Sequence, residues 1–156
     1  MNTTIQALCL AAAMLFPLAA VAQQKAAKPV DRASTAVQLA VDLSMQAYNR
    51  DRDRAMLELE SKCWAFWSRE ESAQSAAFNC GLVAMANRYI FAAQRIAEGH
   101  ETAPEFTGDQ VQERYVIFAV GRGLTQRQIE LTMVQLDRHK ALMVRLIRRT
   151  GLSVEG

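Results

Sequence analysis

Cys63 and Cys80 are the residues of this chain whose type and spacing point to a definite chemistry. They stand seventeen positions apart, which leaves three possibilities: a disulfide, part of a metal site, or a reactive thiol. A zinc site needs about four ligands, and neither His100 nor His139 stands at a metal-ligand spacing from a cysteine. No C-x-x-C redox motif occurs either. The choice between a bridge and a reactive thiol depends on the cellular compartment.

The beginning of the chain indicates that compartment. An apolar run rich in Ala and Leu extends from Ala7 to Ala22 and ends in Ala-Val-Ala. Small residues at these positions are typical of a signal-peptidase site. The alternative is a membrane anchor, but about 16 residues interrupted by Pro17 are fewer than the ~20 that span a bilayer. We therefore expect a signal peptide at residues 1–22, a periplasmic or secreted protein, and no transmembrane segment in the mature chain.

Export favours the disulfide. Removal of the signal peptide also removes Cys9, which leaves Cys63 and Cys80 as a pair in an oxidising compartment. Bridged Cα atoms lie within about 7 Å of each other, whereas seventeen residues of straight helix rise about 25 Å. The chain must therefore turn between the two cysteines, near Glu71. We predict two antiparallel helices stapled by this bridge; a reactive thiol and two separate buried cysteines remain as alternatives.

The rest of the mature chain predicts an all-α fold. We expect a polar N-terminal tail at residues 23–32, a single helical domain at residues 33–151 and a short C-terminal tail at residues 152–156. Apolar residues recur at helical spacing through most of the domain, which is typical of an antiparallel bundle of about four helices. The charged stretch 49–54 predicts a solvated turn or slight break in the first helix.

The bounds of the later helices follow from their caps and breakers. A second helix is expected from about Ser72 to Glu98 and a last one from about Thr125 to Thr150. The third element contains "YVIFAV", residues 115–120, whose β-branched and aromatic residues are also compatible with a strand. We favour a helix because no partner strand is found elsewhere in the sequence.

Two clusters are candidate partner-binding residues. Trp64 and Trp67 lie three positions apart and share a helical face; they are either an aromatic anchor for a partner or a core cluster around the disulfide. Arg145, Arg148 and Arg149 crowd the end of the last helix. They form either a patch for an anionic partner or cations placed at the negative end of the helix dipole.

A repeated pentamer raises a question of family. Residues 124–128 and 131–135 both read L-T-x-x-Q. This pentamer resembles the signature of the LTxxQ family of periplasmic, all-helical envelope-stress chaperones, and the resemblance implies a small exported chaperone. The letters T-x-x-Q also describe a capping box, with Thr at the N-cap and Gln at N3. We adopt the capping interpretation for Thr125, whereas Thr132 lies inside the helix and cannot be a cap.

The sequence favours binding over catalysis. No G-x-S-x-G, H-E-x-x-H, P-loop or Rossmann glycine pattern occurs, so we expect neither an enzyme nor a cofactor nor a metal. The sequence contains no long Lys/Arg tract of the kind that nucleic-acid binding requires, so we expect no nucleic-acid partner. We predict an exported interaction protein of a bacterial envelope, such as an immunity or inhibitor protein or an accessory subunit of a secretion or conjugation system. The partner would be another envelope protein. The oligomeric state stays open, and an LTxxQ-like chaperone and an enzyme acting on an envelope substrate are the alternatives.

Overall fold

The protein forms a bundle of helices. The computed structural model describes residues 32–66 and 72–154, and these residues contain no strand. The predicted all-α fold of about four helices is confirmed, and residues 115–120 are helical. The signal peptide, the N-terminal tail and the turn near Glu71 were expected at positions outside the described residues. The helices are α1 (Arg32–Phe66), α2 (Ala73–Ala97), α3 (Gly108–Gly121) and α4 (Gln126–Arg149), with a short 3-10 helix at Pro104–Phe106.

Helix α1 consists of two segments joined by a kink. Its backbone leaves helical values at Asp51 (φ −160°, ψ 43°) and Arg52 (φ 39°, ψ −124°). The predicted break in the charged stretch is therefore confirmed. A positive φ is uncommon for a residue with a Cβ atom, and an ion pair of 2.7 Å joins Arg52 Nη1 to Glu98 Oε2 at the end of α2. The kink is thus tied to the neighbouring helix.

Polar side chains mark the starts of α2 and α4. Ser72 is the N-cap of α2, and its hydroxyl accepts a hydrogen bond from a backbone N–H three residues later. Thr125 caps α4 with a complete capping box. Its Oγ1 accepts from the backbone N–H of Gln128 at 3.3 Å, and Gln128 Oε1 accepts from the backbone N–H of Thr125 at 2.9 Å. The capping interpretation of the first T-x-x-Q is confirmed.

The two segments of α1 run in opposite directions along α2, because the chain reverses at the kink. In the first segment, Ala36 lines a cavity with Phe78, and the rings of Tyr48 and Phe91 lie 6.0 Å apart, so this segment runs parallel to α2. In the second segment, the Met56 carbonyl accepts a hydrogen bond from Asn87 and Cys63 is bonded to Cys80, so this segment runs antiparallel to α2.

Helix α4 runs antiparallel to α2, since Leu136 lies against Gly81 and His139 against Phe78. The core between the helices is aliphatic and aromatic, and its fully buried side chains include Val37, Val41, Met56, Leu82, Ile90, Phe106, Met143 and Ile147. No helix within the described ranges is both long and apolar enough to cross a membrane.

Gly81 permits a close approach of α2 to α3 and α4. A Cβ atom at this position would lie 2.5 Å from Leu136 Cδ1 and 3.0 Å from Tyr115 Cε2. We expect Gly81→Ala to lower the free energy of unfolding by up to about 2 kcal/mol, because overpacking a core costs about 1–3 kcal/mol and the higher helix propensity of Ala offsets about 1 kcal/mol of that cost. Urea denaturation measures the change.

Gly121→Ala is the matched control for Gly81→Ala. A Cβ atom at Gly121 would meet nothing within 4 Å, so we expect this variant to be as stable as the wild type or slightly more stable. A Gly81→Ala variant as stable as the Gly121→Ala variant would contradict the close packing of these helices.

Candidate functional site

The predicted disulfide is confirmed. Cys63 in the last turn of α1 is bonded to Cys80 in the second turn of α2, and their Cα atoms are 5.6 Å apart. The Cys80 side chain is completely buried. The bridge therefore closes the connection between α1 and α2 covalently and holds the ends of the two helices level.

Trp64 belongs to the core. Only 3% of its surface is exposed, and its ring stacks on Phe118 with centroids 5.8 Å apart and leans against Tyr115 at 5.7 Å. Burial raises the pKa of Tyr115 to about 12. Of the two interpretations of the tryptophan pair, the core cluster is the one that fits Trp64, because this ring presents almost no surface to a partner. Trp67 lies outside the described residues.

The three arginines at the end of α4 have different environments. Arg148 donates to the backbone carbonyl oxygen of Val154, from Nη2 at 2.6 Å and from Nε at 3.3 Å. Val154 is itself buried, so the packed structure continues past residue 151, where the sequence predicts the start of a tail. Arg145 and Arg149 are exposed. Arg148 therefore stabilises the end of the fold, and the other two arginines remain available at the surface.

Arg145 and Arg149 belong to a longer basic column. Arg138 precedes Arg145 by seven residues, and Arg149 follows it by four, spacings that place all three on one side of a helix. All three are exposed, and none forms an ion pair with a carboxylate in the part of the chain that the structure describes. The outer side of α4 is therefore a row of exposed positive charges that no carboxylate within residues 32–66 and 72–154 pairs with, and this row can bind an anionic group.

A buried polar cluster joins α1, α2 and α3. Glu60 is only 3% exposed, and it accepts hydrogen bonds from Arg114 Nε at 3.1 Å and from Asn87 Nδ2 at 3.1 Å. Asn87 Nδ2 also donates to the carbonyl of Met56 at 2.9 Å, and Arg114 Nη1 donates to the carbonyl of Glu105. These contacts satisfy the carboxylate that α1 places in the interior.

The position of Glu60 in the sequence indicates this buried cluster, although the motif spacings did not predict it. Met56, Glu60 and Trp64 follow one another at intervals of four residues, so the carboxylate lies on the buried stripe of α1. A charged residue on a buried helical face is almost always paired. That position alone predicts a buried cation nearby, although it does not identify Arg114 as that cation.

A second polar cluster lies beside the kink of α1. Glu98 accepts hydrogen bonds from Arg52 Nη1 at 2.7 Å and from the Tyr48 hydroxyl at 3.1 Å. The hydrogen bond with Arg52 is the main reason why the pKa of Glu98 lies below its usual value. Desolvation, with the adjacent Glu98 carboxylate as a smaller contribution, raises the pKa of Tyr48. This cluster holds the kink against the C-terminal end of α2, and its charges compensate one another.

The two histidines do not lie together. His139 is half-buried against the Phe78 ring, with centroids 5.5 Å apart, whereas His100 lies in the exposed loop after α2. Among residues 32–66 and 72–154, no group of three or more His, Cys, Asp and Glu side chains is arranged to hold a metal ion. The expectation that the protein binds no metal stays a prediction.

The fold and its surface define an all-α bundle with a disulfide hairpin and a basic outer face. Comparisons of the chain with protein-family models, curated proteins and solved structures find no match.

In both L-T-x-x-Q pentamers the threonine has a structural contact: Thr125 caps α4, and Thr132 is buried and donates to the carbonyl of Gln128 at 2.8 Å. The resemblance to the LTxxQ chaperones stays a prediction.

Proposed function

We propose that this chain is an exported, disulfide-bonded interaction protein of a bacterial envelope, in the class of immunity or inhibitor proteins and accessory subunits of secretion or conjugation systems. The signal-peptide pattern of residues 1–22 supports export. The bond between Cys63 and Cys80 agrees with an oxidising compartment, because disulfides are rare in cytosolic proteins. Its activity is to bind another protein.

The observation that carries the proposed binding activity is the pair of exposed guanidinium groups at Arg145 and Arg149, which pair with no carboxylate of the residues that the structure describes. Both lie on α4, which packs against α1, α2 and α3. A rigid helix presents such groups with less loss of conformational entropy on binding than a loop does. Arg is enriched at binding hot spots and pairs with carboxylates in a bidentate geometry. We infer an acidic surface on the partner protein.

The test is recovery of a specific partner from envelope extract with the purified protein as bait. We expect one protein at near-stoichiometric amount. The double variant Arg145→Glu/Arg149→Glu should weaken that complex at least about tenfold, the loss expected for a hot spot of at least about 1–2 kcal/mol. Arg54→Glu is the matched control, because this arginine is also exposed but lies on α1. It should leave the complex intact.

Two other results would contradict the proposal. Protection of several unrelated unfolded proteins from aggregation, with no favoured partner, would support an LTxxQ-like chaperone instead. Turnover of a defined envelope substrate would support an enzyme. Thermal melting of each variant must match that of the wild type, since only then does weaker binding report on the surface of α4.

A further inference from the structure

Two exposed apolar strips lie on consecutive helices. On α3, Ile117 and Val120 are 62% and 57% exposed; on α4, Leu131 and Val134 are 50% and 53% exposed. Single exposed apolar residues are common on protein surfaces. Here each pair has a spacing of three residues and so occupies one face of its helix. Each helix therefore presents a short apolar strip to solvent.

A charged residue extends each strip, and the two charges are opposite. Glu113 lies four residues before Ile117 on α3, and Arg138 lies four residues after Val134 on α4. Both are exposed. Glu113 accepts a hydrogen bond from the side chain of Gln110 at 3.1 Å, and neither Glu113 nor Arg138 forms an ion pair in the described ranges. The α3 strip ends in a negative charge, and the α4 strip ends in a positive one.

The two strips have the same spacing when the helices are read in opposite directions. Backward along α3, the steps from Val120 to Ile117 to Glu113 are three and four residues. Forward along α4, the steps from Leu131 to Val134 to Arg138 are also three and four. Alternating steps of three and four form the contact seam of paired helices. An antiparallel pair in this register therefore sets Glu113 level with Arg138 and the apolar residues level with one another.

This complementarity is not used within one chain. The four apolar side chains would be covered if α3 and α4 of the same molecule packed through these strips, yet each is at least half exposed. A second molecule of the same sequence supplies both complementary strips. We propose that the protein self-associates, with α3 of one copy packed antiparallel on α4 of another.

A two-fold axis allows the contact to form twice. In a symmetric dimer, residue i of one copy contacts residue j of the other, and the reverse contact also forms. Each dimer then contains two pairs of Glu113 with Arg138. The inference does not rest on the proposed function, because Arg145 and Arg149 lie about two and three turns beyond Arg138 along α4. Loss of self-association and loss of partner binding are therefore measured with different variants.

Sedimentation equilibrium of the purified protein over a range of concentrations tests the proposal. We expect a reversible dimer. Glu113→Arg and Arg138→Glu should each raise the dimer dissociation constant at least about tenfold, because each variant places like charges opposite one another in both contacts. Asp42→Arg on α1 is the control for a charge reversal elsewhere, and it should leave the dissociation constant unchanged.

Charge exchange gives the decisive measurement. The double variant Glu113→Arg/Arg138→Glu should dimerise again, and an equimolar mixture of the two single variants should form a heterodimer, since both contacts are then complementary. A wild-type protein that stays monomeric up to its solubility limit would overturn the proposal. So would a dimer whose dissociation constant does not respond to these substitutions. Oligomers that grow with concentration beyond two copies would contradict the two-fold arrangement.

Discussion

Replacing Glu60 by alanine is expected to lower the free energy of unfolding by about 3–5 kcal/mol, the cost of removing one partner of a buried ion pair. The substitution leaves the Arg114 guanidinium, whose side chain is mostly buried, without its carboxylate. It also removes one of the two acceptors of Asn87 Nδ2, which then donates only to the Met56 carbonyl. Denaturant unfolding followed by circular dichroism measures the loss.

Glu58→Ala is the matched control on the same helix. Glu58 forms an ion pair of 2.6 Å with Lys62, but both side chains are about half exposed, so we expect a much smaller loss of stability than for Glu60→Ala. The double variant Glu60→Met/Arg114→Met removes both charges together and should recover much of the stability lost in Glu60→Ala. Equal losses for Glu60→Ala and Glu58→Ala would show that the ion pair is not buried in solution.

The second large effect is expected at the disulfide. Cys63→Ser should lower the free energy of unfolding by about 2–5 kcal/mol, because the bridge restricts the unfolded chain; closure of a loop of about 15 residues accounts for about 3 kcal/mol in the chain-entropy description. Thermal or urea unfolding of the variant measures this change. Reducing agent should lower the stability of the wild type by a similar amount and leave the variant unaffected.

Thiol labelling provides the direct check on this prediction. The wild type, denatured without reducing agent, should show no free thiol at Cys63 or Cys80. Two labelled thiols would contradict the bridge. In that case nothing would hold the last turn of α1 against α2 except the packing of their side chains.

The hairpin formed by the end of α1 and the start of α2 could be predicted from the sequence because one disulfide constrains it. Two thiols and a limit on the separation of bridged Cα atoms were enough to require a turn and an antiparallel pair. The start of α4 could be predicted for a similar reason, since a capping box involves residues only three positions apart. In both cases the physical requirement acts over a short and known distance.

The polar clusters needed information that sequence spacing does not contain. Glu60 and Arg114 are 54 positions apart, and their contact depends on the packing of α1 against α3. Spacing placed Trp64 on a face but could not say whether another helix covers that face; Tyr115 and Phe118 of α3 cover it. The positions of Arg145 and Arg149 on α4 followed from periodicity, whereas the contact of Arg148 with Val154 required the chain to turn back after the helix.

The kink at Asp51 and Arg52 divides α1 into two cooperative units. Helical order propagates through consecutive residues with helical dihedral angles, so fraying that begins at the N-terminal end of α1 stops where that series is broken. The segment before the kink can therefore open locally without melting the segment after it, which the disulfide holds to α2. Amide hydrogen exchange in the first segment should then be governed by a smaller opening free energy than exchange around Cys63.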